Sequence, residues 1–530
     1  MCSHSSSYLC FTALYLVPLV PLGLNPYDEG VRLYGADRVL AGNFPYYDFF
    51  AYYGPGQFYW SAILFKVFGT EIVVARLGAV AFICVAAVAV FVLCRSAGLS
   101  WSWASVPVAA LVVPLRAGDQ LITCDPALSL VLAAGASLTG AWGGGRQRFL
   151  AGILLGLAVA FRHDFGLYGA IAGVAVSFWG YRRAPEEFHD SWPMAKWLIG
   201  ALWDLRAFVG GIATTVVPVY GLLAFHGPAR LVGALLTEPA RLMPFRTLPY
   251  AYYEVLYLHA WMSGDMGSPG AMADPGIIAI FFTPLLGLLL SVRLVGRRER
   301  RRISTRHERI ETLLFVLVTA IGLGIYALGR SDWYHVYPLH VLSVVVVSII
   351  LAPKVRSDSR LIAIAVALIA VAGVSLRIAL VVSDPFRVGI PVHLPRAEAI
   401  TVDDRLAWVG DAVRDIWRYG DGGPILVAAE RHDRVHWNAL ILYFLSGRPS
   451  GTYFHDMIPG LTTTRQVQER IVRDLRENQV RTVVIWKGPV PEEPNESRFS
   501  SGVFVLDEYL RAEFSRVRET ENYEILVKRE

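Results

Sequence analysis

The stretch Asn25–Gly56, NPYDEGVRLYGADRVLAGNFPYYDFFAYYGPG, follows the first long apolar run of the chain and carries an adjacent acidic pair, Asp28 and Glu29. Carboxylates just beyond a membrane span are costly in hydrocarbon and tolerable where water begins. The stretch therefore reads as an extracytoplasmic loop with the character of a site. Asn25 is placed to cap a short helix with Pro26 in its first turn. Asp28 and Arg32 would then lie one turn apart and could pair. Acids in a first turn also complement the helix dipole, and both readings stay open at this point.

Working outward, the composition fixes the setting. The chain has 530 residues, 54% of them hydrophobic and 18% charged, with a mean hydropathy of +0.44. That is too apolar for a soluble enzyme and matches an integral membrane protein. The net charge of +5 is modest, and the basic residues cluster in a few loops. This pattern carries topology and gives no footprint for nucleic acid. Five cysteines, none in a CxxC pair, supply no disulfide framework. The first apolar run lacks a basic leader and a clear cleavage site, so it reads as a retained span.

Apolar runs near 8–24, 71–94, 102–115, 126–142, 149–161, 165–180, 206–225, 276–294, 312–328, 336–352 and 361–382 predict about eleven spans. Several are short, so broken or tilted helices are expected. With the N-terminus cytoplasmic, one set of loops collects Arg95, Arg146, Arg148, Arg182, Arg183, Lys196, the run Arg297–Arg309, Lys354, Arg356 and Arg360. The positive-inside rule then places Asn25–Gly56 and the C-terminus outside. The segment Gln57–Phe68 follows a Gly-Pro-Gly break and reads as an interfacial helix. The long loop 227–276 mixes aromatic, proline and basic residues, which predicts short helices covering a chamber.

Most charges at span edges fall on the outer side: Asp28, Glu29, Arg116, Asp125, Arg162, Asp164, Arg330, Asp332 and His335 among them. Their convergence on one leaflet predicts a shared polar chamber. From about Asp384 the composition is that of a soluble domain. Strands are expected at Pro424–Ala429, Arg481–Trp486 and Tyr523–Val527, and helices at Val435–Leu445, Thr464–Asn478 and Val503–Phe514. The expected architecture is a polytopic α-helical membrane protein, residues 1–383 with outer loops at 25–70 and 227–275, joined to a small extracytoplasmic α/β domain at 384–530.

The acidic pair, RVLAGNFPYYDFF, YYGPG and the following VVARLGA together resemble the polyprenol-phosphate-sugar-dependent glycosyltransferases of the C superfamily, nearest to bacterial relatives of protein O-mannosyltransferases and lipid A aminoarabinose transferases. LITCDPALSL and GRSDWYHVYPLH are similar to later segments of that family, and the tail resembles those of many bacterial members. The resemblance implies attack by an acceptor hydroxyl on the anomeric carbon of a sugar held on a lipid phosphate, with inversion. It assigns Asp28 as base and Glu29 as the residue orienting it or the sugar. Guanidiniums would stabilise the leaving phosphate, with Arg330 first, then Arg162 and Arg116. Asp125, Asp332 and His335 complete the implied substrate-binding set.

Each has a plainer reading. Arg162-His163-Asp164 can end a span with an internal ion pair, Asp125-Pro126 can start a helix, and Asp332 and His335 can cap a span. One histidine with scattered acids leaves a divalent metal open without establishing one. The implied partners are a polyprenyl-phosphate-linked sugar donor, a glycan, lipid or protein acceptor of the cell envelope, and membrane lipids, with no nucleic acid. The enzyme would be mannosyltransferase- or arabinosyltransferase-like. A transporter or lipid flippase would spread polar groups across both leaflets and show repeated halves, which this chain does not. An inactive envelope scaffold is the third alternative.

Overall fold

The computed structural model describes residues 2–115, 117–123, 126–139, 144–181, 194–253, 255, 275–295, 307–352, 389–488 and 492–530. Each of the first ten apolar runs overlaps a helix among the described residues, from Cys2–Leu16 to Trp333–Leu351. The eleventh run, 361–382, lies outside the described residues, as do Arg116, Asp125 and the basic run as far as Arg306. Among the described helices, Ile72–Ser96, Leu205–Ala224, Arg309–Gly329 and Trp333–Leu351 are long and apolar enough to cross a membrane.

Ile72–Ser96 is the central helix, mostly buried and packed on Cys2–Leu16, Trp101–Val112 and Pro126–Leu138. Gly145–Phe161 and Met194–Ala224 cross so closely that a Cβ on Gly152 would sit 2.1 Å from the Phe208 carbonyl oxygen. Small residues permit that approach, which dispersion then rewards. The opposite face of Met194–Ala224 leaves Val209, Val217 and Leu222 exposed, as a lipid-facing surface would. His307–Gly329 packs on His163–Tyr181 and on Trp333–Leu351.

At one end of this bundle the loop and tail segments gather. Asn25 Oδ1 accepts from the backbone N–H groups of Tyr27 at 3.0 Å and Asp28 at 2.8 Å in the turn before the helix Asp28–Leu40, whose N-cap is Tyr27 in place of the expected Asn25, with Pro26 ahead of the first turn. The helix Gly56–Phe68 follows the Gly-Pro-Gly break, with Ile63, Val67 and Phe68 exposed. Residues 228–245 form a run of short helices whose Leu242 packs with Phe50, Tyr52 and Met457.

The tail begins with a short antiparallel pair, β1 (Ile390–Pro391) and β2 (Thr401–Val402). Its main sheet has the order β3 (Ile425–Ala429), β4 (Thr482–Trp486), β6 (Tyr523–Lys528), β5 (Phe514–Glu519). β3 and β4 run parallel, which requires the crossover that carries helices Ile441–Ser446 and Arg465–Glu477. β6 is antiparallel to both neighbours. Two expectations need correction. β5 went unseen because it is an exposed charged edge with only Phe514 buried. The helix expected at Val435–Leu445 is confined to Ile441–Ser446. Asn438 bonds the Val427 and His455 carbonyls and the Met457 N–H, and this side-chain bonding holds the preceding residues out of the helix.

The tail does not hang from the bundle. Thr401 exchanges backbone hydrogen bonds with Pro21 and Gly23, and Ile441 N–H donates to the Pro26 carbonyl at 2.9 Å. A Cβ on Gly30 would meet the Ile441 nitrogen at 2.4 Å, so the helix bearing the acidic pair is pressed directly on the tail. One apolar core runs through both.

Candidate functional site

Glu29 is fully buried and joined to Arg76, which is also fully buried. Arg76 Nε and Nη2 each donate to a Glu29 oxygen at 2.8 Å, and its remaining N–H groups reach the Val20, Leu22 and Gly23 carbonyls. Every donor of the guanidinium is therefore used. Glu29 Oε2 also accepts from the Asn25 N–H at 2.9 Å, while Asn25 Nδ2 donates to Asp28 Oδ2 at 3.0 Å. Asn25 thus bridges Glu29 and Asp28. The Glu29 carboxylate is fully buried among these partners.

Asp28 is partly buried, and Arg32 influences it electrostatically without forming the expected ion pair. Burial pushes the Asp28 carboxyl above the usual carboxylate range against the pull of Arg32, and nearby Asp332 adds to the push. His335 also lies within electrostatic reach. Residues from opposite ends of the helical region thus come within electrostatic reach of Asp28.

The turn before Trp333–Leu351 supplies that partner group. Asp332 caps the helix by accepting from the His335 N–H, and the same oxygen lies 2.6 Å from His335 Nδ1. Burial would raise the Asp332 carboxyl, but His335 and Arg330 hold it well below the ordinary range. Arg330 Nε donates to Asp332 at 2.8 Å, and its terminal nitrogens grip both oxygens of Glu493 at 2.6 and 3.0 Å. Glu493 comes from the tail and also accepts from Tyr253 at 2.9 Å. Arg330 is therefore matched by two carboxylates. Arg162 is likewise paired, with both Asp164 oxygens and the Tyr326 hydroxyl, and Tyr326 lies 4.8 Å from the His335 ring. The internal ion pair read as the plainer alternative is present, at the margin of the same cluster.

A second group, unmarked in the sequence, lies beside Asp28. The Tyr27 hydroxyl is 3.3 Å from Asp456 Oδ2 and 3.2 Å from the Tyr52 hydroxyl. The Arg246 guanidinium stands 5.3 Å from the centre of the Tyr52 ring. It feels Tyr52, Tyr53, Tyr27 and Asp456 electrostatically, yet among the described residues it forms no ion pair. His436, close to Glu493 and Arg330, is lowered to about 4 by burial and is neutral at physiological pH.

The cluster thus unites Asp28, Arg330, Asp332 and His335 from the sequence-predicted set, with Arg162 at its edge. Arg116 and Asp125 lie outside the described residues. Sequence reasoning missed Arg76, Arg246, Asp456 and Glu493. Arg76 had a signal, since a lone arginine in the apolar run VVARLGA demands a buried partner. The others look like ordinary loop residues. Among the described residues, no group of His, Cys, Asp and Glu is arranged to hold a metal ion.

No family model and no curated protein matches the chain. Solved structures do. ArnT from Cupriavidus metallidurans bound to undecaprenyl phosphate aligns over 99% of this chain and 97% of its own, with a TM-score of 0.53 and 13% identity. The apo state of the same protein gives a TM-score of 0.51 at 13% identity, covering 99% of this chain and 98% of its own. The chain therefore shares its overall fold with ArnT over nearly its whole length.

Proposed function

We propose that the protein is a membrane glycosyltransferase that moves a sugar from a polyprenyl phosphate to a cell-envelope acceptor on the outer face of the membrane. An acceptor hydroxyl attacks the anomeric carbon, the bond from that carbon to the phosphate oxygen breaks, and configuration inverts. The hydroxyl proton passes to Asp28, and the lipid phosphate leaves with the bonding electron pair. A base whose pKa burial has raised is a better proton acceptor than an exposed aspartate, provided that it is ionised at the working pH.

The observation that carries this proposal is the gathering of Asp28 with the Arg330, Asp332 and His335 turn, in a chain sharing its fold with a protein crystallised on undecaprenyl phosphate. Arg246 is the guanidinium best suited to the leaving phosphate, because no carboxylate pairs with it, whereas Arg330 and Arg162 already hold carboxylates. Their part is to fix the turn and the helix ends around Asp28. The N-terminus would be cytoplasmic and the tail extracytoplasmic, as the loop charges imply.

The test uses the purified full chain in lipid bilayers with radiolabelled undecaprenyl-phosphate sugars. Asp28→Asn should lower turnover by about 10²–10⁴-fold, the range for removing a general base. Unchanged turnover would remove Asp28 as the base.

A further inference from the structure

Asp456 is carried by the tail and is 2% exposed. Its Oδ2 accepts from Tyr27, the residue before Asp28, while its Oδ1 is sealed from solvent without a hydrogen-bond partner. An orphaned buried carboxylate oxygen is destabilising, and folded proteins rarely keep one without a reason. The obvious remedy is nearby. Arg246 is close enough to influence Asp456, yet it stands over the Tyr52 ring instead of pairing with the carboxylate.

An unpaired guanidinium and an unpaired carboxylate oxygen within electrostatic reach of each other complement a ligand that offers an anion and a hydrogen-bond donor together. A glycosyl phosphate has both. The geometry points to Asp456 as the residue that reads the sugar: its Oδ1 bonds a ring hydroxyl of the donor whose phosphate Arg246 holds. The tail domain then selects the donor, and the transferase site is incomplete without it. This inference rests on the preceding proposal for the chemistry at Asp28. Tyr27 supplies the link, since it touches Asp456 and neighbours the base.

Burial lifts the Asp456 carboxyl to about 7 against the Tyr27 hydrogen bond and the Arg246 charge, with Asp28 adding to the rise. The groups facing it are Tyr27 and Asp28 from the start of the helix Asp28–Leu40, Tyr52 from the loop before Gly56–Phe68, Tyr443 from the tail helix Ile441–Ser446, and Arg246 from the segment after the short helices. Sugar recognition should therefore change with pH near neutrality. Ionised, the carboxylate accepts from a hydroxyl; protonated, it can donate to one instead.

The experiment measures binding to the full chain in lipid nanodiscs. Its probes are undecaprenyl phosphate and the same lipid carrying mannose, glucose, galactose or aminoarabinose. Wild type should bind one sugar lipid about tenfold tighter than the bare lipid phosphate, the effect of one or two net hydrogen bonds. Asp456→Leu should erase that margin and leave affinity for bare undecaprenyl phosphate within about twofold. Asp456→Asn should keep part of the margin and lose its dependence on pH.

A full margin in Asp456→Leu overturns the assignment while leaving the transferase proposal standing. Equal losses for sugar lipid and bare lipid, with a lowered Tm, overturn it in favour of a packing role. A wild-type protein with no margin for any of the four sugars overturns both this inference and the donor proposed above.

Discussion

Two arginine–carboxylate neighbourhoods adjoin the start of the acidic helix, at Glu29 and at Tyr27, and they are built on opposite plans. Arg76 and Glu29 are both fully buried and close on each other, with every guanidinium N–H bonded. Arg246 and Asp456 are near neighbours and leave each other unpaired. The first arrangement is satisfied by the chain alone and therefore structural. The second is satisfied only in part, which is what the proposed donor site requires. Between them stands Asp28, oriented from the closed side through Asn25 and facing the open side through its neighbour Tyr27.

The largest effect should come from breaking the closed pair. Arg76→Leu leaves the Glu29 carboxylate buried without its cation and should destabilise the fold by about 3–5 kcal/mol, measured by thermal unfolding in detergent. Arg246→Leu is the matching change on the open side. It should leave Tm nearly unchanged and weaken undecaprenyl phosphate binding by about 1.5–3 kcal/mol, the value of a charge-assisted hydrogen bond. If Arg246→Leu unfolds the protein as readily as Arg76→Leu, the contrast between the two neighbourhoods fails.

Gly30 tests the joint that both share. A methyl group there would collide with the backbone at Ile441, so Gly30→Ala should cost about 1–3 kcal/mol and shift Asp28 relative to Asp456. The expected readout is a fall in kcat/KM exceeding what the loss of folded protein explains.

The smallest effect concerns pH. Arg32 lowers the Asp28 pKa and Asp332 raises it. With Asp28 as the proposed base, its ionised form is the active one, and activity should fall as pH drops through its pKa. Arg32→Gln should move that acid limb to higher pH, and Asp332→Asn should move it lower, by about a unit or less each. Shifts of the opposite sign in a kcat/KM profile would dissociate the limb from Asp28.

Much of the helical region was legible because apolar runs announce spans directly, as Ile72–Ser96 and Trp333–Leu351 illustrate. In the tail, β3, β4 and β6 were readable as buried apolar strands, whereas β5 hid behind its exposed charges. The amphipathic helix Trp408–Tyr419 was not anticipated either. At the site, Asp28, Arg330, Asp332 and His335 were visible as charges at span edges. Glu493 was not, because an acid in a proline-rich tail loop has no pattern that ties it to Arg330, 163 residues earlier.

By itself, the sequence determined where helices form and that charges collect at their ends. Hydrocarbon excludes unpaired polar groups, and this constraint acts locally along the chain. Only the tertiary structure decided which charges are neutralised by the chain and which remain available. Pairing depends on distances of a few ångströms between residues far apart in sequence, and Tyr27 and Asp456, separated by 429 positions, meet only when the tail docks on the acidic helix.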